Sequence, residues 1–254
     1  MDVVILTALG VGSATVIGAG LGFAFKNPSH KFNDAVLSFA AGVMLCAAVI
    51  GLIIPAFPEG PLGFWDVAIP IVGIFCGALC LNLIDKLVPH LHRVSGMDGE
   101  ELHPANNAQL NKVLLFVIAI AIHNLPEGIA AGVSFGTGND VQALTVAGGI
   151  ALQNIPEGMI IIAPMLAAGI SKKRTFIIAL MTGVVEVIGT MLGYFVGTIS
   201  AILPFVFAFA GGTMLYVISD EMIPETHAHG NERIATYALL AGFALMLIMD
   251  LLLG

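Results

Sequence analysis

Long apolar stretches alternate along this chain with short connectors that collect most of the charge and the turn residues. Eight of these stretches are long enough, as helices, to cross a ~30 Å hydrocarbon core. They run over about 3–25, 33–54, 67–88, 113–134, 141–167, 175–199, 201–220 and 234–254. The pattern predicts an all-α polytopic membrane protein with eight transmembrane helices. It reads as one transmembrane domain over residues 1–254, with a His-containing loop at 89–112 between spans three and four.

Composition agrees with this reading. Hydrophobic residues make up 58% of the 254 and charged ones 10%, and a soluble fold has too little interior for so much apolar surface. The first stretch, MDVVILTALG, carries Asp2 where a secretory signal would be basic, so it reads as a span. A net charge of −8 is wrong for nucleic acid, and no GxxxxGK[ST] phosphate loop is present. Three cysteines cannot make a disulfide framework, and Cys76 and Cys80 read as small packing hydrophobes.

The basic residues then orient the spans. Lys26 and Lys31 lie between spans one and two, and Lys86, Arg93 and Lys112 flank the link from three to four. Lys172, Lys173 and Arg174 separate five from six, and Arg233 separates seven from eight. All nine fall on one side, so the positive-inside rule puts both termini outside a cytoplasmic-type (inner) cell membrane.

Two internal repeats say where chemistry should lie. His123-Asn124-Leu125-Pro126-Glu127-Gly128 in span four recurs 30 residues later as Gln153-Asn154-Ile155-Pro156-Glu157-Gly158 in span five. A fainter match at an offset of 170 pairs Phe39, Ala40, Gly42, Met44 and Leu45 with Phe209, Ala210, Gly212, Met214 and Leu215. Pro55 and Pro224 follow near the ends of these spans. The paired spans run antiparallel, which predicts a 3+2+3 inverted-repeat arrangement, a common transporter design.

At 1.5 Å per residue, His123, Gln153 and Glu186 each lie roughly 15–18 Å into their spans, near the bilayer centre. His123 and Glu127 share a helix face, as do Asn124 and Glu127, and span five repeats this with Gln153, Asn154 and Glu157. Three carboxylates at that depth cost about 2.5–3.5 kcal/mol each. No Lys or Arg lies at midmembrane depth to neutralise them, so protons or a metal cation must supply the positive charge. Pro126 and Pro156 free the carbonyls of Ile122 and Leu152, and open backbone at this depth is tolerated only beside protein or a water-filled cavity. One imidazole with carboxylate and amide oxygens suits Zn²⁺, Fe²⁺, Mn²⁺, Co²⁺ or Cd²⁺ better than Mg²⁺, Ca²⁺ or Cu(I). The candidate metal ligands are His123, Asn124, Glu127, Gln153, Asn154, Glu157 and Glu186. Glu127 and Glu157 can be shared between two ions, the second of them structural or modulatory.

At these phrases the chain resembles the ZIP (zinc- and iron-regulated transporter-like) family, most closely its GufA-type bacterial branch. HNLPEG, QNIPEG and the span-six VVEVIG carry the resemblance. It implies Zn²⁺ as substrate and a binuclear centre. One site would use His123, Glu127, Gln153 and Glu157, the other Asn124, Glu127, Asn154, Glu157 and Glu186. It also implies uptake toward the cytoplasm, elevator-like movement of spans one, four, five and six against the rest, and a homodimer. Many relatives carry a second His where Gln153 stands, and some an Asp in place of Asn154. Some end span seven with a His-Glu pair where this chain has Asp220-Glu221.

Weaker candidates remain. Asp220, Glu221, Glu225, His227 and His229 read as an exit path, and Glu59, with Asp66 and Asp140, as a cation-concentrating entrance. Asp85, His90, His92, Asp98, Glu100, Glu101 and His103 read as a solvated polar link, with a cytoplasmic metal collector as the functional alternative. Met44, Met159 and Met181 read as packing residues. Gly189, Gly193 and Gly197, with Gly73 and Gly77, form ridges for close helix approach. The competing readings are an intramembrane metalloenzyme using the same His and Glu residues, and a proton-coupled carrier of a small organic solute.

Overall fold

A computed structural model describes residues 1–24, 29–87, 122–167 and 169–253. Among the described residues there is no strand, and seven helices are long and apolar enough to cross a membrane. The protein is a polytopic helical membrane protein. The helices are α1 (Asp2–Ala24), α2 (His30–Cys46), α3 (Phe64–Leu87), α4 (122–133), α5 (Asp140–Ile160), α6 (Ile162–Ala167), α7 (Lys172–Gly197), α8 (Leu203–Val217), α9 (Ile223–Thr226) and α10 (Glu232–Leu253). The expected fourth span, 113–134, is described only from residue 122. The loop at 89–112, with His90, His92, Asp98, Glu100, Glu101 and His103, lies outside the described residues.

Polar side chains set several helix starts. Ser29, Asn139 and Ser171 accept hydrogen bonds from the first free N–H groups of α2, α5 and α7. Pro156 lies inside α5 without ending it, and α6 continues the same span beyond a turn at Ile161.

Two further spans are not regular α-helices. α2 runs on into a π-helical segment at Ala47–Ile53 and a 3₁₀ turn at Ile54–Ala56. α8 likewise runs into a π-helical segment at Ile218–Met222 and then α9. The seventh span, expected to end at 220, therefore reaches Thr226. A widened turn lets the chain carry Asp220 and Glu221 and reach Pro224, which has no N–H to give, without breaking the helix.

Eight of these helices form two groups of four, with α6 and α9 continuing α5 and α8. In the first, α1 packs on α5 and α7, and α4 packs on α7, where a methyl on Gly132 or Gly193 would strike the carbonyl of Thr190 or Ile129. In the second, α2 packs on α10 and α3 on α8, and the π-helical segment of α2 joins the pairs by lying against α8. A methyl on Gly42 would strike the Leu239 carbonyl, and one on Gly212 the Ile74 carbonyl. Such glycines bring backbones together where lipid offers no hydrophobic driving force. The groups meet mainly where α2 packs on α5. The outward faces of α3 and α10 present Phe75, Leu79 and Leu83 and Leu240, Ile248 and Leu252, an apolar surface suited to lipid.

Candidate metal centre

The repeated phrases lie on α4 and α5, and each ends in a glycine with a definite task. A methyl on Gly128 would collide with the Glu186 carbonyl of α7, and one on Gly158 with the Thr15 carbonyl of α1. Each phrase is thereby pressed, one residue after its glutamate, against the neighbouring helix at the residue that matters. The result is a buried polar cluster inside the first group. Asn124, Glu127, Gln153, Asn154 and Glu186 are buried, and His123 and Glu157 are partly exposed.

The fold brings all seven candidate side chains together. Glu127 is close enough to Glu157 and Glu186 to feel their charge, Glu186 feels Glu157, and Glu157 faces His123. Hydrogen bonds then divide the polar atoms. Asn124 Nδ2 donates to Glu186 Oε1 at 2.5 Å, and Thr15 Oγ1 donates to the same oxygen at 2.7 Å. Asn154 Nδ2 donates to the Val11 carbonyl at 3.4 Å. Asn124 Oδ1, Asn154 Oδ1, Glu127 Oε2 and Glu186 Oε2 are left buried without a hydrogen-bond partner, as are both polar atoms of Gln153. Buried polar atoms are nearly always satisfied. Five orphan oxygens in one cluster, Gln153 Oε1 among them, are acceptors waiting for a positive charge. Among the described residues no three His, Cys, Asp or Glu side chains form a ready-made metal cage; three of the seven donors here are amides.

The exit candidates separate sharply. Glu221 Oε1 lies 3.0 Å from His123 Nε2, with side-chain exposures of 21% and 14%, so the π-helical segment after α8 touches the cluster. Asp220 is exposed. His227 Nδ1 is held by the Ile223 carbonyl at 2.8 Å, and among the described residues no hydrogen bond or ion pair ties Glu225 to the cluster. His229 Nδ1 lies 3.0 Å from Asp34 Oδ1, and its ring stacks on His30. Glu59 is exposed beyond the far end of α2, and Asp66 caps α3 by accepting from the Gly63 N–H at 2.8 Å.

Sequence reasoning missed Thr15 and Asp34. Thr15 had a signal: α1 matches α7 at an offset of 171, with Ala8, Gly12, Gly18 and Gly22 opposite Ala179, Gly183, Gly189 and Gly193. In that register Thr15 stands opposite Glu186. Asp34 had none, because its partners His229 and Asn231 lie near the other end of the chain.

Comparison with known proteins bears on this geometry. A family model described as ZIP Zinc transporter matches residues 90–250. The chain belongs to the ZIP family. It is 38% identical over 258 residues to "Zinc transporter GufA" of Myxococcus xanthus, covering 98% of each chain. It is 38% identical to "Zinc transporter ZIPB" of Bordetella bronchiseptica, over 95% of this chain and 78% of that one. It is also 31% identical to the human "Zinc transporter ZIP11", over 94% of each. ZIP proteins are transporters and not enzymes, so the metalloenzyme reading of the His and Glu residues falls away.

Proposed function

We propose that this ZIP-family protein carries divalent transition metals, Zn²⁺ foremost and Cd²⁺, Fe²⁺, Mn²⁺ and Co²⁺ with it, toward the cytoplasm. The observation that carries the reading is the set of buried, partnerless acceptors Asn124 Oδ1, Asn154 Oδ1, Glu127 Oε2 and Glu186 Oε2. A cation satisfies all four, and a neutral or anionic solute would leave them orphaned. The named substrate of the relatives supports zinc within that class.

The centre holds two ions. His123, Gln153 and Glu157 serve one and Asn124, Asn154 and Glu186 the other, with Glu127 and Glu157 shared. Glu221 receives the ion from His123, since the two side chains touch and keep some exposure while Gln153, Asn154 and Glu186 are sealed. The chain spans an inner-type membrane eight times in a 3+2+3 inverted repeat with both termini outside, as the one-sided Lys and Arg distribution supports. Transport proceeds by movement of α1, α4, α5 and α7 against the other four helices. That reading is supported by the contrast between glycine-on-backbone contacts within each group and side-chain contacts between them.

The test is Zn²⁺ or Cd²⁺ uptake into proteoliposomes by wild type beside Glu127→Ala. Saturable uptake should fall by at least ~100-fold in the variant, since losing even a supporting contact costs 10–100-fold in metal affinity. Undiminished uptake in a folded Glu127→Ala protein would remove the midmembrane cluster from the path.

A further inference from the structure

We infer that Thr15 is a positioning residue that holds Glu186 for the cation, and that α1 is the helix that aims the oxygen-rich half of the centre. The inference rests on the transport reading above and extends it to a residue outside the ligand set.

Two donors, Thr15 Oγ1 and Asn124 Nδ2, converge on Glu186 Oε1 and leave Oε2 as its one partnerless oxygen. Asn124 is itself a ligand, so when its amide turns toward an ion the Thr15 hydroxyl remains as the fixed anchor. Thr15 is fully enclosed, so no water substitutes for it. One turn earlier on α1 the Val11 carbonyl accepts from Asn154 Nδ2 and leaves Asn154 Oδ1 unpartnered. The same helix face thus orients one ligand from α7 and one from α5.

The register of the fold says why a hydroxyl stands there. Gly12 and Gly183 face each other, each pressed against the other's carbonyl. Three residues on from them come Thr15 and Glu186. Gly158 of one repeated phrase packs on the Thr15 carbonyl just as Gly128 of the other packs on the Glu186 carbonyl. Thr15 therefore occupies the place that Glu186 holds on the matching helix. A carboxylate there would set a fourth negative charge against Glu127, Glu157 and Glu186. A hydroxyl donates instead, and turns the matching position into support for the single glutamate.

The experiment compares full-length wild type, Thr15→Val, Thr15→Ala and Thr15→Ser in proteoliposomes, with free Zn²⁺ as probe and thermal unfolding as the check on folding. Losing the hydroxyl should raise half-saturating Zn²⁺ about tenfold in both Val and Ala, with maximal rate within about twofold, the size typical of a lost supporting contact. Thr15→Ser keeps the donor and should return half-saturation to within about twofold of wild type. A role in packing alone predicts the reverse: Val, the closest in shape, behaves as wild type and Ser does not. That pattern, or equal half-saturation in all four, overturns the inference. If Val does not fold, Ala against Ser decides. If wild type moves no Zn²⁺, the transport reading fails by itself, and equilibrium Zn²⁺ binding by the same four proteins still judges Thr15.

Discussion

In the group formed by α1, α4, α5 and α7, Gly18 presses on the Ile155 carbonyl and Gly193 on that of Ile129. In the group formed by α2, α3, α8 and α10, Gly242 presses on the Phe39 carbonyl and Gly77 on that of Phe209. The means of assembly is the same, and the contents are opposite. The first group buries Asn124, Glu127, Gln153, Asn154 and Glu186 together with Thr7, Thr15, Thr145, Thr182 and Thr190. The second buries Asp34, Ser38 and Thr213, with Thr226 at its end, and otherwise fills its interior with side chains such as Met44, Leu52, Phe207 and Met214. Backbone-to-backbone contact lets a helix bundle hold polar side chains at fixed distances without help from a hydrophobic core. The second group uses that rigidity as a wall.

The boundary between the groups is made differently. Gly51 of α2's π-helical segment faces the Val146 side chain, and Gly149 of α5 faces the side chains of Met246 and Val43. Methionine adapts to a changed surface, whereas a carbonyl in a helix cannot. The sharpest way to break the comparison is one substitution made on both sides of it. Gly18→Ala and Gly42→Ala each drive a methyl into a backbone carbonyl, in different groups, and should each cost about 2–3 kcal/mol. Gly149→Ala meets the flexible end of Met246 and should cost under ~1 kcal/mol. Thermal unfolding of the three variants in detergent measures the difference. Equal losses at all three would mean that the boundary is as rigid as the interiors, and the proposed movement would lose its support.

The next effect is smaller and crosses the boundary. His123 on α4 touches Glu221 of the second group, a polar contact between the cluster and that wall. Because both side chains keep some exposure, solvent screening limits the pair to about 1 kcal/mol. Glu221→Gln should therefore slow Zn²⁺ uptake about fivefold while leaving equilibrium Zn²⁺ binding within about twofold. Parallel measurements of uptake and binding separate a receiving group from a ligand. A matched loss in both would make Glu221 part of the centre itself.

How far the sequence reveals this molecule depends on whether the signal is repeated along the chain or made between distant parts of it. The HNLPEG and QNIPEG phrases announce themselves because six of the seven candidate donors, and the glycines that dock them, lie in two copies 30 residues apart, while the seventh, Glu186, stands within VVEVIG. The offset of 170 pairs Phe39 and Gly42 with Phe209 and Gly212, and these residues make matching contacts in α2 and α8. The match of α1 with α7 is harder to see, since the position that carries Glu186 on one helix carries Thr15 on the other. The chemistry that would advertise the repeat is absent from half of it. The widened turns at Ala47–Ile53 and Ile218–Met222 leave no mark in composition at all. An extra residue per turn is decided by what the helix packs against, so a span whose apolar run ends near 220 continues as helix to Thr226.

The smallest expected effect tests whether the wall is chemically idle. Asp34 is buried in α2, with His229 Nδ1 at 3.0 Å from Oδ1 and Asn231 Nδ2 donating to Oδ2 at 2.8 Å. These contacts tie the segment between α9 and α10 to the start of α2, and His30 stacks on His229 from the same end. Every one of these groups belongs to the second four helices, so the tie closes on itself and does not reach the cluster. Asp34→Asn exchanges one of two acceptors for a donor and should cost about 1 kcal/mol of thermal stability, with Zn²⁺ uptake within about twofold of wild type. The ranking matters more than the size. If uptake falls further for Asp34→Asn than for Glu221→Gln, then ions leaving His123 pass a second polar station on the wall, and the division into a group that binds and a group that only supports no longer holds.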